Sequence, residues 1–272
     1  MSLRYTSFVE GEYYHVYNRG NSKQAIFHDN DDMQRFQDLL YITNNPERID
    51  VRNVQRNKNN FSIPLCEGKT STKEIPNVLE VVRRQDLRSS EGLAFASKNP
   101  SNIDPCSKLV AIGSYCIMPN HFHILITPFM EGGVSKFMQK LSTAYSMYYN
   151  KKYSHSGGLF EGKFKAKHVP DDRYLKYLFS YINLNPVKLI DSTWKQYGIK
   201  DVEKTFKFLE NYKYSSYLDL LSCEGKTFVD KNKERSDMDI LSLEAFPEYF
   251  PQAKGSTFKK EIMIWFSYRD NF

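Results

Sequence analysis

The chain has 272 residues and a mass of 31.9 kDa, enough to bury a full core as one large domain or two small ones. It contains no apolar run near the ~18 residues that a membrane span needs, and its first residues lack the basic start and apolar core of an export signal. We therefore expect a soluble cytoplasmic protein, not a membrane or exported one, whose four widely spaced cysteines are reduced thiols.

The net charge of +6 is concentrated in the middle of the chain. Residues 134–190 include ten lysines and arginines but only three acidic residues. A phosphate backbone attracts such a segment, although an excess of this size often serves solubility alone. Aromatic residues make up 15% of the chain, and exposed ones can stack on unpaired bases. The composition thus favours a nucleic-acid partner without requiring one.

A strand and a helix are the first predicted elements. The β-forming residues Tyr13 to Asn18 predict a strand that ends in turn residues, and Gln24 to Phe27 predict a short returning strand. After His28, acidic residues precede apolar residues at helical spacing, which predicts a helix. Residues from about 46 to 107 then lose their periodicity, so we interpret them as a long inserted loop.

Two further strands and a helix follow the insertion. Lys108 to Met118 and His121 to Pro128 are strand-like, and Pro119-Asn120 between them predicts a hairpin. From Val134 to Tyr148, apolar residues recur with the period of an amphipathic helix. This part of the chain therefore alternates between elements that can form a sheet and elements that can cover it.

The next predicted strand has a basic face. Lys163, Lys165 and Lys167 alternate with apolar residues, which places the three lysines on one side of a strand. Pro170-Asp171-Asp172 then predicts the start of a helix that Pro186 ends. Further helical segments predict a C-terminal extension that is mostly helical.

Two histidines of the hairpin form the first half of a candidate site. Positions i and i+2 of a strand point to the same side about 6.6 Å apart, so His121 and His123 can converge on one ion while Phe122 faces the core. The alternative is a pair that only satisfies local hydrogen bonds. The pair alone does not decide between the two.

The later helix supplies the second half. Tyr181 and Asn185 are four residues apart and therefore share one helical face. Tyr174 and Tyr177 extend the same stripe, so the alternative is an aromatic face that packs on the sheet. Because Pro186 disfavours helical geometry at the residue before it, the direction of the Asn185 side chain depends on how the helix ends.

Four segments together resemble the single-tyrosine HUH transposases, where HUH denotes His, a hydrophobic residue and His. They are YHVYNRGNSKQAIF, MPNHFHILITP, SGGLFEGKFKAKHV and YLFSYINLNPVK, which cover most of the chain from Tyr13 to Lys188 apart from the insertion. The NYKYSSYLDLL tail and the LNPVK ending look more like the REP-associated tyrosine transposase branch than the shortest insertion-sequence enzymes.

The resemblance implies a fold and a division of the chain. It implies an α+β fold with a ferredoxin-like, or RRM-like, antiparallel sheet, helices packed on that sheet and a C-terminal helical extension. Residues 1–190 would form the catalytic domain, with the insertion at about 46–107, and residues 191–272 would form the extension. The histidine pair would lie on a central strand, with the nucleophile on a helix beside it.

The resemblance also implies a reaction. Tyr181 would be the nucleophile, His121 and His123 the metal ligands and Asn185 the third ligand, with Mg²⁺ or Mn²⁺ as the ion. Tyr181 would attack single-stranded or hairpin DNA, leaving a covalent 5′-phosphotyrosine and a free 3′-hydroxyl, and a second 3′-hydroxyl could reverse the step without ATP. Imidazole also suits zinc or copper, so the choice of metal rests on the resemblance.

Seven residues are candidates for DNA contact, and most have a structural alternative. The lysine row can be a solvated strand face, and the two residues of the first turn can simply close it. The candidates are Lys163, Lys165, Lys167, Lys151, Lys152, Arg19 and Asn21. The remaining histidines, among them His15, are predicted to be structural or surface residues.

Other tyrosines and other functions compete with this interpretation. Tyr145, Tyr148 and Tyr149 are rival nucleophiles, but no polar residue ends their stripe. A non-catalytic, domesticated DNA- or RNA-binding relative is the second hypothesis. A relaxase or replication initiator is the third, although such proteins typically have three clustered histidines and an N-terminal tyrosine. We expect a monomer or homodimer without membrane contact, at the nucleoid-associated DNA of a prokaryotic cytoplasm.

Overall fold

The computed structural model describes residues 7–46, 108–222, 240–242, 245–246 and 256–268. The predicted insertion therefore lies almost entirely outside the described residues. The described strands form one four-stranded antiparallel sheet in the order β2-β3-β1-β4. They are β1 (Tyr14–Arg19), β2 (Val110–Met118), β3 (His121–Pro128) and β4 (Lys165–His168).

Helices connect these strands in the ferredoxin-like manner that was predicted, with α1 between β1 and β2 and α2 between β3 and β4. None of the helices in the described part of the chain is long and apolar enough to cross a membrane. The helices are α1 (Asn30–Ile42), α2 (Gly133–Tyr153), α3 (Asp172–Leu184), α4 (Trp194–Tyr197), α5 (Val202–Leu209), α6 (Tyr217–Ser222) and α7 (Ser256–Phe266), with 3-10 helices at Asn21–Lys23 and Asn185–Leu189.

Each face of the sheet buries its own apolar core because side chains alternate along a strand. On one face, Phe122 and Val16 pack with residues of α1 and α2. On the other face, Leu125 packs with α3 residues such as Ile182, and Trp194 and Phe258 join the same cluster. Each fully buried side chain of this kind contributes about 1.5–3 kcal/mol. The second core therefore fixes α3, and parts of the chain beyond residue 190, against the face that carries His123.

Two helices, α1 and α3, were predicted to begin at acidic residues, and each has an aspartate as its N-cap. The Asp29 carboxylate accepts a hydrogen bond from the Asp32 backbone N–H at 2.9 Å. The Asp171 carboxylate accepts one from the Tyr174 backbone N–H at 2.8 Å. Such a cap satisfies an N–H group that the first turn leaves without a helical partner, and its loss typically costs ~1 kcal/mol.

One local prediction was wrong. Gln24 to Phe27 do not form a strand, because the N–H groups of Ile26 and Phe27 both donate to the Pro119 carbonyl and tie this segment to the hairpin turn. The prediction that the helix ends at Pro186 is confirmed, since α3 ends at Leu184 and Asn185 is its C-cap, with φ −56° and ψ −36°. The chain then tightens into the 3-10 helix Asn185–Leu189.

The outer edge of β2 is covered by other parts of the chain. Asn44 binds both backbone groups of Val110 through its side-chain amide. Later segments bond further along the strand, through Tyr214 to Ile117, Ser216 to Tyr115 and Ser242 to Ile112, at 2.8–2.9 Å. A β-bulge interrupts the strand at Gly113, where a Cβ atom would lie 2.7 Å from the Phe246 ring. The sheet edge is therefore paired and closely packed.

Candidate active site

The strand register places the predicted site residues on one face of the sheet. Residues directly opposite each other in an antiparallel pair project from the same face. His123 lies opposite Tyr17, which lies opposite Lys165 on β4, and His15 lies opposite Lys167. This face therefore carries a histidine cluster with a row of lysines beside it.

The helix α3 brings Tyr181 to the histidine pair. The ring centroids of His121 and His123 are 5.1 Å apart, and those of His123 and Tyr181 are 5.5 Å apart. Because α3 packs across this face through Ile182 and Leu178, the position of Tyr181 is set by the core beneath it. The side chains that the sequence placed in one site are thus neighbours.

Asn185 is buried beside these side chains without a conventional partner. It is 1% exposed, and among the described residues neither of its amide atoms has a hydrogen-bond partner. Burial raises the pKa of Tyr181 and lowers that of His121 to about 4, and the nearby Asn185 amide opposes both shifts. An unsatisfied buried amide costs about 1–3 kcal/mol, so its position favours a ligand at this point.

Two further side chains hold the imidazole rings in place. His121 Nδ1 lies 2.6 Å from the Asn120 side-chain oxygen, and His123 Nδ1 lies 2.8 Å from His15 Nε2. A partner at Nδ1 orients an imidazole and leaves its Nε2 available to bind a metal. Neither His15 nor Asn120 was predicted from the sequence to belong to the site. The alternation of YHVY, which puts His15 on the same face as Tyr17, was the available signal.

The histidine cluster is neutral at physiological pH. Burial lowers the pKa of His15 to about 3, with Lys167 and Lys195 lowering it further. Burial also holds the pKa of His123 well below its usual value. A metal ligand must be a neutral imidazole, so these residues do not need to lose a proton before they bind an ion at neutral pH.

The low pKa of His15 predicts a loss of stability in acid. The unfolded chain protonates this histidine near pH 6.5, whereas the folded chain does so only near pH 3. Since the unfolded state binds more protons below pH 6.5, we expect His15 alone to remove about 2 kcal/mol between pH 6.5 and 5. Urea unfolding in EDTA at both pH values measures this. An equal pH dependence in His15→Gln would contradict the assignment.

The donor set can accommodate a divalent ion. Within residues 7–46, 108–222, 240–242, 245–246 and 256–268, no group of three or more His, Cys, Asp or Glu side chains is arranged to hold a metal. An ion here would instead use the Nε2 atoms of His121 and His123 and the Asn185 amide oxygen. His15 does join the histidine cluster, but its Nε2 faces His123. Two imidazoles and an amide leave coordination positions for water or phosphate oxygen.

The predicted DNA-contacting residues differ in their surroundings. Lys165 and Lys167 lie on the site face, and Lys163, Lys151 and Asn21 are exposed outside the strands. Lys152 forms ion pairs with Asp29 and Asp32, at 2.8 and 2.7 Å. Arg19 pairs with Glu161 and so ties the end of β1 to the segment before β4. Lys152 and Arg19 thus each have an acidic partner within the chain, and their contacts with DNA remain predictions.

The rival tyrosines lie in the other layer of the molecule. Tyr145 is fully buried on α2, and its hydroxyl donates to the Ile26 carbonyl at 2.6 Å. Tyr148 and Tyr149 bond to Asp32 and His28, respectively. Because α2 packs on the sheet face opposite His123, these hydroxyls do not face the histidine pair.

Part of this chain is similar to a family of known proteins. Residues 105–185, which contain the histidine pair, Tyr181 and Asn185, match the family described as "Transposase IS200 like". This segment, under a third of the chain, is thus similar to the transposase family that the motifs resemble. No curated protein matches it. A solved structure of a REP-associated tyrosine transposase bound to a REP hairpin aligns with 82% of this chain and 86% of that chain, at 9% identity and a TM-score of 0.43.

Proposed function

We propose that this protein is a transposase that cleaves and rejoins single-stranded, hairpin-associated DNA through a covalent 5′-phosphotyrosine on Tyr181. One observation carries the proposal: Tyr181 lies beside the imidazole pair, with 5.5 Å between its ring centroid and that of His123. The transposase family match over the same residues supports it.

The metal would be held by His121, His123 and Asn185. The buried amide of Asn185 beside His121 and Tyr181, and the contacts that occupy the Nδ1 atoms of the two histidines, support this ligand set. When bound, a divalent ion, Mg²⁺ or Mn²⁺, would polarise the scissile phosphate and offset negative charge in the transition state. His15 and Asn120 orient the two rings from behind.

The chemical step exchanges one ester for another. Tyr181 Oη attacks the phosphorus, the Oη–P bond forms and the P–O3′ bond breaks. The phenol proton passes to solvent and the leaving 3′ oxygen takes up a proton. In rejoining, a 3′-hydroxyl attacks the phosphotyrosine and releases Tyr181, so the bond energy is conserved and no nucleotide cofactor is required.

We propose that Lys165 and Lys167 contact the phosphate backbone of DNA, because both project from the site face. For the Lys165→Ala/Lys167→Ala double variant, we expect weaker binding of single-stranded DNA of any sequence. The slope of log K against log salt should shrink by about 1.4, or ~0.7 for each lost contact. Fluorescence anisotropy over a salt series measures the slope. Lys204→Ala/Lys207→Ala, which removes the same charge from α5, should leave the slope unchanged, and equal slopes in both variants would refute the contact.

The proposal is tested by trapping the adduct. The wild-type protein is incubated with a library of labelled, hairpin-bearing single strands and Mn²⁺, and products are separated under denaturing conditions. We expect a covalent protein–DNA species whose modified peptide contains Tyr181. If no hairpin yields an adduct, the enzyme assignment fails and the non-catalytic DNA-binding relative is favoured.

A further inference from the structure

A lysine outside the matched segment contacts the hydroxyl of Tyr181. Lys195 Nζ lies 2.7 Å from Tyr181 Oη and 4.2 Å from the centroid of its ring. This is the distance of a charge-assisted hydrogen bond, which is roughly twice as strong as a neutral one. Lys195 belongs to α4, beyond residues 105–185, so the family motifs do not include it.

The short helix α4 is fixed by the residue next to Lys195. Trp194 is fully buried, and its ring stacks on Phe266 of α7 with 4.7 Å between centroids. Because Trp194 is anchored in the second core, the backbone that carries Lys195 is held in place. The contact between Lys195 and Tyr181 therefore rests on core packing, although the lysine itself is solvent-exposed.

The Tyr181 hydroxyl lies in surroundings where a nearby cation would stabilise negative charge on its oxygen. Burial raises the pKa of Tyr181, which disfavours negative charge on its oxygen. Partial burial also lowers the pKa of Lys195, although the residue as a whole is exposed. The other titratable or charged groups around this pair lie on the four strands, on α3 and on the 3-10 helix after it: His15, Lys167, Cys116, His121, His123, Tyr177 and Lys188.

We propose that Lys195 is a further catalytic residue of the transposase reaction, whose ammonium stabilises negative charge on Tyr181 Oη when this oxygen attacks and again when it departs. The inference rests on the function proposed above. In cleavage, the Oη–P bond forms, the P–O3′ bond breaks, the phenol proton passes to solvent and Lys195 keeps its protons. In rejoining, the Oη–P bond breaks and the departing oxygen first accepts the Lys195 hydrogen bond, then a proton from solvent.

A substitution series on the hairpin that yields the wild-type adduct tests this role. For Lys195→Met we expect the rate of adduct formation at saturating DNA to fall by roughly 10²-fold, the usual cost of losing one donor to a developing oxyanion. The DNA concentration that gives half the maximal rate should stay within roughly twofold, because no phosphate contact is lost. Lys195→Arg should restore most of the rate, and Lys200→Met, a matched loss of charge just beyond α4, should behave as wild type.

Two results of this series would overturn the role. One is an unchanged saturating rate in Lys195→Met. The other is rescue of that variant by a substrate with sulfur in place of the scissile 3′ oxygen. Sulfur is a better leaving group, so it restores the rate only if the variant had lost stabilisation of the leaving atom. It does not restore the rate if the variant had lost stabilisation of the attacking Tyr181 oxygen. A persistent defect with the sulfur substrate supports the contact at Tyr181.

A second measurement needs neither DNA nor metal. Acetylation of Tyr181 by N-acetylimidazole, followed by peptide mass spectrometry, reports the reactivity of the same oxygen. We expect Lys195→Met to slow it at least roughly tenfold, with the exposed Tyr197 as an internal reference that reacts equally in both proteins. An unchanged Tyr181 rate overturns the role of Lys195, whereas failure of wild type to form any DNA adduct overturns the proposed function itself.

Discussion

Replacing Tyr181 with phenylalanine is expected to remove the covalent DNA adduct, a loss of at least roughly 10⁴-fold in rate. The substitution deletes only the oxygen that would attack phosphorus. Its ring still packs against His123 and Tyr177, so the fold and the neighbouring imidazoles should be preserved. Denaturing gels of the wild type and the variant, at saturating hairpin DNA and Mn²⁺, compare the two rates.

Tyr177→Phe is the matched control for this experiment. Tyr177 lies one turn earlier on α3, with 6.0 Å between its ring centroid and that of Tyr181, and the change deletes the same atom. We expect this variant to retain the adduct. An adduct at wild-type level in Tyr181→Phe would place the nucleophile on another residue and remove the basis of the proposed mechanism.

Loss of either histidine of the pair should abolish metal-dependent cleavage. For His121→Ala or His123→Ala we expect Mn²⁺ affinity to fall by more than the 10–100-fold that loss of an outer-shell partner typically costs. Each variant removes one of the two nitrogen donors of the proposed ligand set. Titration calorimetry measures the affinity, and circular dichroism reports whether the fold is intact.

His28→Ala controls for the removal of a histidine as such. His28 lies in the opposite layer, where its Nε2 is 2.8 Å from the Tyr149 hydroxyl. Its loss should leave Mn²⁺ affinity within about twofold of wild type, since it makes no contact with the proposed ligands. If His121→Ala and His123→Ala bind Mn²⁺ as tightly as His28→Ala, the metal is not held by the pair.

The sheet and the histidine pair could be predicted because their signals are local. Alternation with period two and a two-residue break define the β2–β3 hairpin, and the same period puts His121 and His123 on one face. The helical spacing of Tyr181 and Asn185 is equally local. These relationships lie within one helix or one hairpin, and the structure reproduces them.

The supporting residues could not be predicted in this way because they depend on distant pairing. His15 meets His123 only through the register of β1 and β3, across 108 residues of sequence. Lys195 reaches Tyr181 because Trp194 stacks on Phe266 of α7. No periodic pattern within one element encodes such contacts. The domain boundary at residue 190 and the REP-associated branch remain predictions. Trp194 and Phe258, which lie beyond that boundary, pack in the same core as α3.

The covered margin of β2 limits how two molecules can associate. Many proteins assemble by joining exposed strand edges into a continuous sheet, which requires unpaired peptide groups along the edge. Here Asn44, Tyr214, Ser216 and Ser242 already occupy such groups. Among the strand edges of the described residues, only the four-residue strand β4 is therefore left for a second molecule to extend, and β2 does not offer a long free edge for a shared sheet.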